Sequence, residues 1–267
     1  MSRVLDLARQ TLFSHTEDRM KKVLSMFLFV AALGLVGSKA MADEMTVSAA
    51  ASLKNAFGEM KTAFEAANKG TTVQTNFAAS NPLLKQIVEG APVDVFASAD
   101  EATMDKAADA KVVDTKTRKT FAKNDLVLVV PKGGKKMASL NDLGKVARIA
   151  IGNPDSVPAG RYAREALTNA KLWETLQSKY ILGTNVRQVL DYVARGEVDA
   201  GIVYGTDAKQ FADKVDVALV CTGHTPVTYP IAVATTGKNA KSGQIFVDFV
   251  LSEQGQAILA KYGFVKP

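Results

Sequence analysis

Thr46-Val47-Ser48-Ala49-Ala50-Ala51-Ser52-Leu53 starts as a β-prone run, narrows to small side chains and then turns into a helix. Leu53, Phe57, Met60 and Phe64 recur at i, i+4, i+7 and i+11, the period of an amphipathic helix. Ser52 therefore stands at a strand-to-helix corner and is the expected N-cap. A helix start with a free hydroxyl and unpaired backbone N–H groups suits an anion. For an isolated Ser-Leu pair, capping its own helix is the simpler role. Matching features elsewhere are needed before Ser52 becomes a site residue.

Working outward, the chain alternates strand and helix. Residues 73–77 read as a strand, and Ser80-Asn81-Pro82 opens a helix with Leu83, Leu84, Ile87 and Val88, stopped by Gly90. A strand at 93–97 follows, and Asp100 caps the next helix. Such alternation implies parallel pairing and right-handed crossovers, which gather helix N-termini at one sheet edge. The apolar run 126–130 opens a second unit. There, a strand at 148–151 leads through a Gly/Pro-rich loop to a helix starting at Pro158-Ala159-Gly160. Residues 172–180 are expected to be helical, Asn185 caps another helix, and a buried strand at 200–203 runs into Tyr204. The β run 229–234 passes back to the first unit, and Ser252 caps a final helix. The expected fold is α/β and two-lobed, each lobe a mixed, mostly parallel sheet flanked by helices. Lobe 1 takes 43–125 and 230–267, lobe 2 takes 126–229, and two crossing strands join them around a hinged cleft.

Residues 1–42 read as a leader. Met20-Lys21-Lys22, the apolar stretch 23–36 and Ala40-Met41-Ala42 form a signal peptide over 20–42, and 1–19 reads as an upstream mis-start. Asp43 rather than Cys follows the cleavage site, so no lipid attachment is expected. Without the leader the charge falls from +6 to about +3, 27 basic against 24 acidic residues. With no basic run interleaved with aromatics, nucleic acid is not an expected partner. Cys221 is the single cysteine, so no internal disulfide forms. Of two histidines only His224 lies beyond the leader, which excludes a histidine metal cage and leaves one histidine for any triad. Its turn-like setting, Thr222-Gly223-His224-Thr225-Pro226, favours a solvent-facing role. Two Lys/Gly stretches, 132–136 and 237–242, miss the phosphate-loop spacing and read as solvated turns.

Ser52, Ser80, Pro158-Ala159 and Asn185-Val186 all mark helix starts, and Tyr204 ends a strand. Converging on a cleft, they would form an uncharged cage of hydrogen-bond donors. The ordered set Ala49-Ala50-Ala51-Ser52-Leu53, Phe77-Ala78-Ala79-Ser80, Gly90-Ala91-Pro92-Val93-Asp94-Val95-Phe96-Ala97-Ser98-Ala99-Asp100, Val157-Pro158-Ala159-Gly160-Arg161-Tyr162-Ala163, Gly201-Ile202-Val203-Tyr204-Gly205-Thr206-Asp207-Ala208 and Tyr262-Gly263-Phe264 resembles the periplasmic molybdate-binding proteins of ABC import systems. The match spans 43–267. The resemblance implies a type II periplasmic binding fold and a periplasmic, monomeric binder of molybdate and tungstate. It would deliver its ligand to a membrane permease by hinge closure, without catalysis or cofactor. It also implies that the hydroxyls of Ser52, Ser80 and Tyr204 and the backbone N–H groups of Ala159 and Val186 hold the oxyanion, with no direct metal-cation ligands. Asn81 stands where relatives often carry a small hydroxyl residue, and Asn153 where many carry Asp.

Three other readings compete. A binder of sulfate or another small oxyanion would use the same cage. An exported hydrolase with Ser52 or Ser80 as nucleophile lacks the G-x-S-x-G elbow. A ligand-sensing domain of a regulator would share the two-lobed shape but not the export signal. Asp94, Asp100 and Asp207 look like paired carboxylates, yet caps and strand ends explain them better.

Overall fold

The computed structural model describes residues 43–267, so the expected leader lies outside the described residues. Two five-stranded sheets carry the fold. In the first, β1 (Asp43–Ala50) pairs in parallel with β2 (Thr71–Ala78) and β3 (Val95–Ala97). Next, β10 (Val227–Val233) lies antiparallel to β3 and to β4 (Lys119–Asn124), for the order β2-β1-β3-β10-β4. In the second, β6 (Ile149–Gly152) pairs in parallel with β7 (Tyr180–Gly183) and β8 (Ala200–Tyr204). There β5 (Leu126–Pro131) runs antiparallel to β8 and β9 (Val215–Val220), for the order β7-β6-β8-β5-β9. The chain leaves the first sheet at Asp125, between β4 and β5, and returns between β9 and β10.

The helices follow the strands as the alternation implies. In the first lobe, α1 (Lys54–Ala67) buries Phe57, Met60 and Phe64, and α2 (Ser80–Val88) buries Leu83, Leu84 and Ile87. Asp100 caps α3 (Glu101–Asp109) by accepting from the Thr103 N–H. The second lobe has α4 (Pro158–Asn169), α5 (Val186–Ala194, capped by Asn185) and α6 (Gly205–Gln210). The chain ends in α7 (Ala240–Leu251) and α8 (Glu253–Lys261, capped by Ser252). Aromatic rings tie α1 and α7 together: Phe246 meets Phe57 edge-on at 5.9 Å and Phe64 at 5.1 Å.

The structure corrects three expectations. Ser52 does not cap a helix: it lies inside a 3₁₀ turn, Ala51–Leu53, ahead of α1, and no side chain caps that turn. A single tight turn satisfies the corner, which frees the hydroxyl. Residues 172–180 form turns and a short 3₁₀ segment, Gln177–Lys179, rather than a helix. Lys171, with φ at 60°, turns the chain out of helical geometry ahead of that stretch, and Trp173 stacks on Tyr180 at 4.7 Å. Parallel and antiparallel pairings are equally frequent among the described strands, because β5 and β10 enter their sheets from the opposite lobe.

One ion pair is sealed inside the second lobe. Arg187 on α5 places Nε 2.6 Å from Oδ1 of Asp207, in the first turn of α6, and the Asp207 side chain is fully buried. Charge rather than an aligned hydrogen bond joins the two atoms. Burial pushes the Asp207 carboxyl up to about 6 despite the opposing pull of Arg187. An acid with a raised folded-state pKa adds stability that is complete below its unfolded value and is lost as pH rises through about 6. Arg187→Met leaves that carboxylate without its partner and should cost about 3–5 kcal/mol at pH 7. The penalty should shrink at pH 5, and Arg187→Met/Asp207→Leu should recover most of it, as read by urea unfolding of the three proteins.

Candidate functional site

The C-terminal ends of β1, β2, β6, β7 and β8 and the turns after them meet at one place between the sheets. Ser52 follows β1 in its 3₁₀ turn, and Ser80 is the first residue of α2. Ala159 is the second residue of α4 behind Pro158, Val186 is the first of α5, and Tyr204 ends β8. All five are buried and line a single small cavity of about 10 Å³. Small or apolar residues, among them Ala50, Ala79, Ala99 and Val157, complete the wall. The described residues of the lining carry no charge.

Local packing fixes the two helix starts. A Cβ on Gly160 would lie 2.1 Å from the Gly152 carbonyl oxygen, so only glycine lets α4 begin directly on the end of β6. That contact sets where the Ala159 N–H points. Asn185 accepts from the Gln188 N–H at 3.0 Å, which leaves the Val186 N–H, at the first position of α5, without an intrahelical acceptor. Both helices present their positive ends to the cavity.

The hydroxyls differ in their partners. Ser80 Oγ accepts from the Ala99 N–H at 3.0 Å. Ser52 Oγ lies 3.1 Å from Tyr229 Oη, which accepts from Asn124 Nδ2 at 3.2 Å. The Asn124 amide is oriented by its Oδ1, which accepts from the Asp125 N–H at 3.0 Å and the Thr206 N–H at 3.4 Å. Its Nδ2 also donates to Thr206 Oγ1 at 2.8 Å. Tyr204 Oη is buried and has no hydrogen-bond partner among the described residues. Burial first, with neighbouring phenols and carboxylates, raises the Tyr204 phenol well above its ordinary pKa, and burial likewise raises Tyr229. Both stay protonated and can donate.

The carboxylates keep out of the lining. Asp94 accepts from the N–H groups of Thr46 and Asn239, both at 2.7 Å. Asp100 does cap α3, but it also takes Arg161, and Asp207 belongs to the pair with Arg187. The ring nitrogens of His224 face the Thr225 and Cys221 carbonyls rather than a serine, so Ser52 and Ser80 have no imidazole base. Among the described residues no group of three or more His, Cys, Asp or Glu could hold a metal ion. Tyr229 and Asn124 were not singled out from sequence. Tyr229 sits in a mostly apolar strand, and the hint was its hydroxyl next to the run 230–233, which carries no polar side chain.

The model of the bacterial extracellular solute-binding proteins matches residues 45–265. The molybdate-binding protein ModA of Escherichia coli K12 is 40% identical over 257 residues, covering 91% of this chain and 98% of that protein. ModA of Haemophilus influenzae is 35% identical, covering 92% and 99%. The solved periplasmic molybdate-binding protein of Azotobacter vinelandii superposes with a TM-score of 0.73 at 24% identity, covering 84% of this chain and 99% of that one, a likeness of fold. The chain belongs to the bacterial extracellular solute-binding protein family, with ModA proteins among its relatives.

Proposed function

We propose that this protein binds molybdate outside the cytoplasmic membrane and delivers it to the permease of an ABC importer. Its named relatives support the ligand and the transporter. The observation that carries the reading is the Tyr204 hydroxyl, sealed from water with no protein acceptor, beside two serines and two helix starts in an uncharged cavity. A buried donor without a partner costs about 1–3 kcal/mol, and an oxyanion removes that cost. The Ser80 proton is free because its oxygen accepts from Ala99. The Asn124 amide sends the Tyr229 proton to Ser52 Oγ, which turns the Ser52 proton into the cavity.

Five donors and no carboxylate acceptor suit a tetrahedral dianion that carries no proton. Monohydrogen phosphate needs an acceptor for its own hydrogen, and no carboxylate among the described residues lines this cavity. Hydrogen bonds to a charged acceptor contribute about 1.5–3 kcal/mol each against about 4–15 kcal/mol for association. Five of them reach useful affinity without a lysine or arginine. Tungstate has the same charge and shape and should bind too. Ser52 and Ser80 belong to one lobe, and Ala159, Val186 and Tyr204 to the other. An anion that bonds to both favours the closed form by its differential affinity, and the closed form is the one a permease reads. The protein works as a monomer, needs no cofactor and leaves its ligand unchanged.

Thermal unfolding of residues 43–267 with each anion checks the ligand. Molybdate and tungstate should raise Tm in proportion to the logarithm of concentration, and sulfate and phosphate should not; a shift with sulfate or phosphate alone contradicts the reading. Calorimetric titration checks the donors. Tyr204→Phe and Ser80→Ala should each raise the Kd for molybdate by about 10–150-fold. Tyr229→Phe keeps every donor but releases the Ser52 proton from its orientation, and should weaken binding less, by about tenfold. Unchanged affinity in Tyr204→Phe would remove the site.

A further inference from the structure

The polar side chains that flank the donors turn away from the cavity and cross the cleft. Asn81 follows Ser80, and its Nδ2 donates to the Asp155 carbonyl at 3.0 Å. Arg187 follows Val186, and its Nη2 reaches the Ser52 carbonyl at 3.4 Å. Arg161, two residues beyond Ala159 in α4, donates from Nε to Asp100 Oδ2 at 2.9 Å and from Nη2 to the same oxygen and to Thr103 Oγ1. Thr103 Oγ1 in turn donates to Asn81 Oδ1 at 3.0 Å. Asp155 and Arg161 belong to the second lobe; Asn81, Asp100 and Thr103 belong to the first. One connected network therefore bridges the lobes at the margin of the cavity.

Within that network the ion pair is the strongest link. The Asp100 side chain is 5% exposed and that of Arg161 17%. Both charges have left water, so their attraction exceeds that of a surface pair, and the desolvation of both offsets much of the gain. A near balance of this kind suits a contact that must form and break. The pair is neutral as a whole, so it adds no general attraction for anions.

We infer that Arg161 and Asp100 are positioning residues for anion capture: an interlobe ion pair that holds the lobes together with or without the anion, and so favours the anion-bound form without touching the anion. The inference rests on the reading that an oxyanion closes the cleft. It makes affinity depend on a protein–protein contact as well as on the donors, and it assigns most of that dependence to the rate of release. The pair Arg118–Glu101, which lies within the first lobe, is the natural control.

The test is calorimetric titration of residues 43–267 with sodium molybdate, using Arg161→Gln, Asp100→Asn, the double variant and Arg118→Gln. Asparagine at 100 keeps an acceptor for the Thr103 N–H, so α3 stays capped. Each single variant should raise Kd about tenfold, and the double variant should do no worse than the weaker single, because both remove one interaction. Arg118→Gln should leave Kd unchanged. Unchanged Kd in the singles, or a lowered Tm with Kd intact, would overturn the inference, as would additive losses in the double variant. Should the parent bind no oxyanion, the proposed function fails separately, and small-angle scattering of the ligand-free proteins decides. A larger radius of gyration in the double variant would then support the ion pair as a lobe-to-lobe contact, and an equal radius would overturn it.

Discussion

The absence of charge from the cavity lining is the constraint around which the rest of the structure is arranged. A buried site for an anion that uses no lysine or arginine must collect its favourable potential from oriented dipoles. Dipoles act only at short range and only if they are fixed, so the fold has to bring several chain segments to one point and hold them there. Sheets with parallel strands do this by construction, because the strand ends and the helix starts fall on one edge. Two such sheets facing one another supply donors from opposite sides, and the cavity between Ser52, Ser80, Ala159, Val186 and Tyr204 is the result.

The charged residues near the site follow from the same constraint. Arg161 and Arg187 stand within two residues of candidate donors, yet each is matched by a carboxylate, Asp100 and Asp207. Matched in this way they organise elements without competing for the ligand. Arg187 and Asp207 lock α5 to α6 inside one lobe, behind the Val186 amide and the Tyr204 hydroxyl. Arg161 and Asp100 work between lobes. Tyr229 and Asn124 have a third task in the proposed arrangement, to set the direction of the Ser52 proton: Asn124 Nδ2 donates to Tyr229 Oη, which lies 3.1 Å from Ser52 Oγ.

Much of this was legible in the sequence. Helix periodicity, the caps at Asp100, Asn185 and Ser252 and the strand–helix alternation are local signals, and the structure places those elements where they were expected. The five candidate positions come together because each lies at an element boundary, and boundaries are marked locally by small, cap-forming or helix-starting residues. Ser52 was misjudged in its local role because a 3₁₀ turn and the first turn of an α-helix draw on the same residues. Residues 172–180 show helical spacing in Leu172, Leu176 and Tyr180, but tertiary stacking of Trp173 on Tyr180 and the backbone at Lys171 prevail. What could not be read were partners distant along the chain. Asp100 looked like a cap and is one, but its second role depends on Arg161 across the cleft. Tyr229 reads from sequence only as the start of the β run 229–234, and its partner Ser52 lies 177 residues away along the chain.

The most direct measurement is a crystal structure of residues 43–267 grown with molybdate. The account requires one tetrahedral ion between the lobes. Its oxygens should lie within hydrogen-bond distance of the Ser52, Ser80 and Tyr204 hydroxyls and the Ala159 and Val186 amides, with no lysine or arginine nitrogen touching it. An ion neutralised by Arg161 or Arg187, or one resting on a single lobe, would contradict it.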